Sequence, residues 1–408
     1  MTIPSTINRN SQRQLRFFNI DLHISVIADI KLILEQLGHS VVDWSISGHT
    51  WVMGRKRADV KIVNQDTWQG LDQQMCDDFF NCYKDELSQY DAFIVTYSAA
   101  FALLYEKTNK PIILVNPTRY EHPFTDSPEK WRWLDSYLQK GIDEGRIIVI
   151  ANNKGDEYYF RYFNGLPSLV IPSLCLYTKA EYTGKHPQFL LVTRMKSVLI
   201  PKQEMRLVRW LERLHEKWAA KLFANFSRRH GTILSSRQLH HHMVNKEETL
   251  KNGYSWQSLY DFKGIVHIPY QISTMSIFEQ YSANVPLFFP SKRFLFELYQ
   301  KNPDKVLSEL SFYQVRNLDY SKLEKENPNN VAEESVIKRW IDLADYYDRD
   351  NMPYVQYFES FEHLESLLAT VDCQKISSQM HKFNQTRKKG VFEQWQKLAE
   401  QIVSMLPS

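Results

Sequence analysis

Three short stretches of the chain bring together side chains whose types and spacing suit group-transfer chemistry. In residues 19–25, Asp21 and His23 lie two apart, just before an apolar-periodic run. An imidazole titrates near neutrality and can take the proton of an attacking hydroxyl, while Asp21 can orient it or cap the helix that follows. In residues 193–197, Arg194 and Lys196 put two cations on one turn, suited to a diphosphate and to the charge it carries as a leaving group. Residues 266–279 are the richest stretch: His267 and Tyr270 precede Ser273, Thr274 and Ser276, and Glu279 follows. Hydroxyls and backbone N–H groups at a helix start bind phosphate oxygens, helped by the helix dipole. A carboxylate about a turn and a half into the helix can accept hydrogen bonds from a ribose diol.

Other stretches carry weaker signals. Residues 117–123 follow the apolar run PIILVN, so Arg119, Glu121 and His122 would emerge at a strand's end and can contact an acceptor or a sugar. Residues 47–49 (Ser-Gly-His) are a similar case. Three consecutive histidines at 240–242 cannot share one face of a helix or strand, so they read as a loop and no metal site is expected there.

The elements that must position these residues are legible from periodicity. Residues 16–20 read as a short buried strand; Val26, Ile27, Ile30, Ile33, Leu34 and Leu37 recur at three- and four-residue spacing, which predicts a helix over 24–37 closed by Gly38. Extended structure resumes at 40–44, giving a βαβ unit and hence a parallel sheet with right-handed crossovers. The pattern recurs with strands expected at 90–97, 111–116, 146–151 and 168–172 and a helix at 99–106. These strands are apolar without alternation, which predicts a sheet covered on both faces. A polar stretch with Gly and Pro at 177–187 reads as a linker. Beyond it, strands are expected at 189–193, 263–268 and 285–289, with helices at 202–218 and 273–282 and a largely helical remainder from 335. The fold class is therefore α/β, with two doubly wound Rossmann-like domains and a C-terminal helical segment. The boundaries fall at 1–182, 183–375 and 376–408.

Composition agrees with this and excludes other classes. A chain of 408 residues exceeds one ordinary core, and 43% hydrophobic with 24% charged residues is globular rather than disordered. A net charge of +3 from 50 basic and 47 acidic residues gives no electrostatic case for nucleic acid or an anionic membrane. Four irregularly spaced cysteines complete no zinc site and suit free thiols in a reducing, cytoplasmic setting. No apolar run reaches the roughly 18–20 residues a transmembrane span needs, so a soluble protein is expected.

The segment from His267 to Pro286 carries a family resemblance. A strand, small polar residues at a helix start, Glu279, and a proline seven residues on at Pro286 together resemble the donor-binding segment of GT-B glycosyltransferases. The order from His23 to Val42 is similar to the opening of inverting members, whose catalytic base is a His after the first strand. Arg194 and Lys196 resemble the Arg/Lys pair of the retaining branch. The resemblance departs at Gln271, where many members have an acidic residue or His, and no Gly-rich loop is present. It implies a nucleotide-sugar donor bound by Ser273, Thr274, Ser276 and Glu279, with His267 and Tyr270 beside them and Arg194 and Lys196 on the diphosphate. It further implies His23 as base in an inverting transfer, the site in a cleft between the domains, and the terminal helix crossing back to domain one. No metal or other cofactor is implied, and the acceptor, whether glycan, lipid, protein or metabolite, is left open. Two alternatives stand beside it: a nucleotide-sugar epimerase or hydrolase on the same scaffold, and a noncatalytic binding protein.

Overall fold

A computed structural model describes residues 13–116, 118–195, 242–251, 253–312 and 319–407. The helix expected at 202–218, together with Lys196, His240 and His241, lies outside the described residues. The described chain divides into two compact units, one holding the residues through Tyr177 and those from Thr386 on, the other holding Thr178 to Gln385.

Unit one is built on a six-stranded, wholly parallel sheet: β1 (Arg16–Asp21), β2 (Ser40–Ser45), β3 (Ala92–Thr96), β4 (Ile112–Asn116), β5 (Ile147–Ala151) and β6 (Leu169–Val170), in the order β2-β1-β3-β4-β5-β6. Every residue of β3, β4 and β5 is buried, as strands without polar alternation require when helices cover both faces. Helix α1 (Ile24–Gln36) buries Val26, Ile27, Ile30, Ile33 and Leu34, and the chain leaves it through Gly38 at φ +96°, a conformation that favours glycine. Helices α2 (Gln73–Ser88), α3 (Pro128–Asp143) and α4 (Lys154–Asn164) complete the layers. The helix expected at 99–106 is a 3-10 helix, Ala99–Thr108, with its residues from Ala99 to Tyr105 all buried.

Unit two repeats the plan. Strands β7 (Phe189–Thr193), β8 (Met243–Asn245), β9 (Ile265–Ile268), β10 (Leu287–Pro290) and β11 (Gln356–Phe358) form a parallel sheet in the order β11-β10-β9-β7-β8. Its helices include α5 (Trp256–Tyr260), α6 (Met275–Ser282), α7 (Lys292–Lys301), α8 (Glu334–Asp342) and α9 (Phe361–Thr370). The last helix, α10 (Cys373–Met405), places Asn384 against the Tyr281 carbonyl in unit two (Nδ2 to O, 2.9 Å). In unit one its Arg387 donates to the Ser173 carbonyl at 2.6 Å. Two differences from expectation are local: α6 begins at Met275 instead of residue 273, and the region after 335 includes a strand, β11.

The two strand orders have a shared consequence. In unit one the chain moves from β1 to β2 on one side and then returns to lay β3 on the other, so the winding reverses between β1 and β3. In unit two it reverses between β7 and β9. Ligands of open α/β sheets bind outside the carboxyl ends of strands at such reversals, where loops diverge and leave a crevice.

Candidate functional sites

At the unit-one reversal stand His23, at the end of β1, and Tyr97, at the end of β3. Their rings stack with centroids 6.0 Å apart and planes 28° from parallel. Tyr97 holds a left-handed backbone (φ +67°), which is costly for a bulky side chain and is found where the surrounding structure imposes it. Trp68 packs edge-on to Tyr97 (6.2 Å) and His122 (5.2 Å), and Tyr97 meets His122 edge-on (6.2 Å). His23 takes the N-cap position of α1 without capping it, and its Nδ1 has no hydrogen-bond partner. Burial holds the His23 imidazole below the ordinary histidine pKa, and the nearby charge of His49 lowers it further. The ring is therefore a neutral base at physiological pH.

Asp21 does not orient that ring in this structure. Its carboxylate is fully buried and accepts from Ser45 Oγ (3.0 Å), while its Oδ1 is unpaired. Burial pushes the carboxyl up to about 7, only partly offset by the Ser45 bond.

The loop after β4 corrects two expectations. Arg119 and Glu121 do not face outward to an acceptor; both are buried and brace the loop from within. Glu121 accepts from Tyr159 Oη at 2.7 Å, and the Arg119 guanidinium lies 5.0 Å from the centre of the Tyr159 ring. Burial raises Glu121 to about 7 and Asp156, at the start of α4, to about 6; the positive charge of Arg119 opposes both shifts. The physical reason is complementarity: a buried guanidinium stays where carboxylates and an aromatic face surround it. His122 alone of the three joins the His23 cluster. Its carbonyl accepts from Ser98 Oγ (2.7 Å), and burial lowers its imidazole pKa.

At the unit-two reversal, Arg194 follows β7 and Tyr270 follows β9. The Arg194 guanidinium lies 3.7 Å from the Tyr270 ring centre, donates from Nη2 to Glu309 Oε1 (2.6 Å) and from Nη1 to Ser308 Oγ (3.2 Å), and remains half-exposed. Thr274 is the N-cap of α6, yet its hydroxyl bonds Ser276 Oγ (3.0 Å) and not the helix backbone. Ser276 is exposed and Ser273 half-buried. Glu279, half-buried one turn further, accepts from Trp256 Nε1 at 3.1 Å.

Capping separates the helices at the reversals from most others. Asp72, Ser127, Asn153, Ser255, Ser291 and Ser360 each close the first turn of α2, α3, α4, α5, α7 and α9 with a side-chain bond. The helices that follow β1 and β9 have none, nor does α8. In their first turns Val26 N donates to the His23 carbonyl (3.0 Å) and Ile277 N to the Thr274 carbonyl (3.1 Å).

His267 is the expectation the structure overturns most plainly. It points into the core of unit two, with Nε2 2.7 Å from Gln280 Oε1 and its ring stacked on Phe289 (4.8 Å), which stacks in turn on Tyr346 (4.2 Å). Burial drives its pKa down to about 4. A neutral, internally satisfied imidazole of this kind is a packing element and not a ligand contact.

Some neighbours of the candidate residues escaped the sequence reading. Glu309 and Trp256 reach Arg194 and Glu279 from distant segments and left no local signal. The spacing of Asn153 and Asp156 after β5 was a readable capping pattern (Asn153 Oδ1 accepts from Asp156 N at 2.8 Å). Among the described residues no cluster of three or more His, Cys, Asp or Glu could hold a metal ion, and no helix is long and apolar enough to cross a membrane.

No family model and no curated protein matches the chain. Solved structures similar to it include CalG4, the calicheamicin glycosyltransferase, at TM-score 0.41 and 10% identity over 97% of this chain and 100% of that one. A second is the glycosyltransferase SnogD from Streptomyces nogalater, at TM-score 0.34 and 13% identity over 95% of this chain and 100% of that one. A third is a proposed UDP-N-acetylglucosamine 2-epimerase from Listeria monocytogenes, at TM-score 0.39 and 10% identity over 85% of this chain and 100% of that one. Likenesses this remote assign no activity; the doubly wound architecture of both units rests on their own strand orders.

Proposed function

We propose that the protein transfers a glycosyl group from a nucleotide-sugar donor to an acceptor hydroxyl, with inversion at the anomeric carbon. The observation that carries this reading is the start of α6. A helix N-terminus that no side chain caps lies at a winding reversal, flanked by the exposed hydroxyl of Ser276 and followed one turn on by Glu279. That arrangement suits a nucleoside diphosphate: backbone N–H groups and the helix dipole for phosphate, a carboxylate for the ribose diol. Arg194, over the Tyr270 ring, supplies a cation for the leaving diphosphate. Lys196 is a further candidate for that role.

In unit one, His23 serves as the base. The acceptor oxygen bonds to the anomeric carbon as the bond from that carbon to the diphosphate oxygen breaks. The acceptor proton passes to His23, and the electron pair leaves with the nucleoside diphosphate. A histidine kept neutral by burial is ready for this at physiological pH.

The reading is tested by incubating the protein with a panel of nucleotide sugars, with and without a mixture of hydroxyl acceptors, and analysing products. Expected is glycoside formation with one donor class, reduced about 100-fold or more in His23→Ala without loss of nucleotide binding. Release of free sugar alone, or of an epimerised donor, would replace transfer with hydrolysis or epimerisation.

A further inference from the structure

Immediately after β2 the chain forms a short 3-10 turn, Thr50–Met53, that presents Trp51 with 71% of its surface exposed. A large aromatic ring left this open departs from the usual fate of tryptophan, which is mostly buried. The turn itself is firmly held. Thr50 is buried, Val52 N donates to His49 O (3.0 Å), Arg55 N donates to Thr50 O (3.1 Å) and Ala58 N donates to Ser45 O (2.7 Å). Gly54 closes the turn in a left-handed conformation (φ +64°), and the Arg55 guanidinium pairs with the buried carboxylate of Asp43. Among the described residues, no side chain packs on the Trp51 ring as a ring partner or hydrogen-bonds its indole N–H.

Strands β1 and β2 are parallel, so this turn emerges from the same edge of the sheet as His23. Two residues before Trp51 stands His49, exposed and close enough for its charge to be felt by His23. The Gln65 amide packs over Gly48, where a Cβ would sit only 2.7 Å from its Nε2, and it accepts from Arg57 at 2.9 Å. Trp51 offers a flat apolar face on a turn whose preceding residues carry an imidazole at His49 and, at Gly48, meet an amide bonded to a guanidinium, a set of groups that matches a pyranose. One face of such a ring is a layer of C–H bonds that packs on an indole, while its rim of hydroxyls asks for donors and acceptors.

We propose that Trp51, with His49 and Gln65, forms the platform that binds the acceptor, and that the acceptor is a glycan presenting a pyranose to this ring. The proposal rests on the glycosyl-transfer reading and names its acceptor class. A bilayer fits the patch less well. Only Val52 adds substantially exposed apolar surface beside Trp51, Arg55 is neutralised by Asp43, and the exposed carboxylates of Asp59 and Asp66 oppose the charges of Lys56 and Arg57.

The test uses the full chain labelled with 5-fluorotryptophan, whose 10 tryptophans give separate fluorine resonances, Trp51 being identified by Trp51→Phe. Methyl glycosides of glucose, galactose, mannose, N-acetylglucosamine and rhamnose are added to about 50 mM, well above a millimolar Kd. Expected is a saturable shift of the Trp51 resonance with at least one glycoside, weakened about 10-fold by His49→Ala or Gln65→Ala while the fold is retained. Failure of every glycoside to move that resonance overturns the proposal. So does its broadening by phosphatidylglycerol vesicles with co-sedimentation of the protein, an outcome that would assign the patch to a membrane. The readout uses no nucleotide, so its failure is distinct from failure of the donor site. Glycoside binding at Trp51 in a chain that binds no nucleotide would instead overturn the acceptor assignment.

Discussion

The guanidinium of Arg194 lies 3.7 Å from the centre of the Tyr270 ring, bridging the two strand ends between which the unit-two sheet reverses its winding. His23 and Tyr97 occupy the equivalent place in unit one. Each unit thus puts one guanidinium or imidazole against one tyrosine at its reversal.

Arg194 owes its pose to shape as well as charge, through the ring face and the paired bonds to Glu309 and Ser308. Arg194→Lys keeps the charge but loses the planar fork and the stacking, so it is expected to behave nearly as Arg194→Ala. Both should weaken a nucleoside diphosphate by about 10-fold or more and the corresponding nucleoside hardly at all, as measured by calorimetric titration.

The buried imidazole of His23 loses its proton below the ordinary histidine value. The base form therefore persists to more acidic pH than a solvent-exposed histidine would allow. The acidic limb of kcat/KM is expected below about pH 6.5, with activity rising as pH increases through it. A limb at or above that value would show that another group supplies the base.

His267 serves packing through its bond to Gln280. Gln280→Leu leaves a buried imidazole nitrogen unpaired and should cost about 1–3 kcal/mol in denaturant unfolding. Nucleotide affinity should be unchanged. A loss of affinity without loss of stability would return His267 to the binding site.

Asp21 carries a carboxyl whose pKa is raised in the folded state to about 7. The folded protein then holds a proton that the unfolded chain has released, so this group's effect on stability worsens as pH rises from about 4 to about 7. Asp21→Asn keeps an acceptor for Ser45 and removes the buried charge. It should stabilise the protein at pH 8 by on the order of 1–3 kcal/mol and make little difference at pH 4, as followed by denaturant titration at the two pH values.

Much of this arrangement was legible in the sequence because buried parallel strands are short apolar runs and the loops after them are where chemistry collects. Residues 16–20, 111–116 and 146–151 announced β1, β4 and β5, and the turns that follow contain His23 and His122. The same logic singled out Arg194 and Glu279 as candidates. What escaped has physical causes. A strand covered on both faces gives no alternation to say which way a residue points, so His267 could not be told from an outward-facing neighbour. Charged side chains read as exposed by default, which hid the inward turn of Arg119 and Glu121. Strands of three residues such as β8 and β11 carry too little pattern to register. Tyr97 depends on a backbone conformation that tyrosine rarely adopts, and no local sequence rule would have placed it.

Unit two is proposed to bind a nucleoside diphosphate at the start of α6, with Glu279 on its ribose. Calorimetric titration of UDP, GDP, ADP, CDP and dTDP into the intact protein and into Glu279→Ala tests it most directly. Saturable binding of at least one of them is expected, weakened about 10- to 100-fold by the substitution, the range for loss of a charged hydrogen-bond acceptor. Binding by none of the five, or equal binding by both proteins, would contradict it.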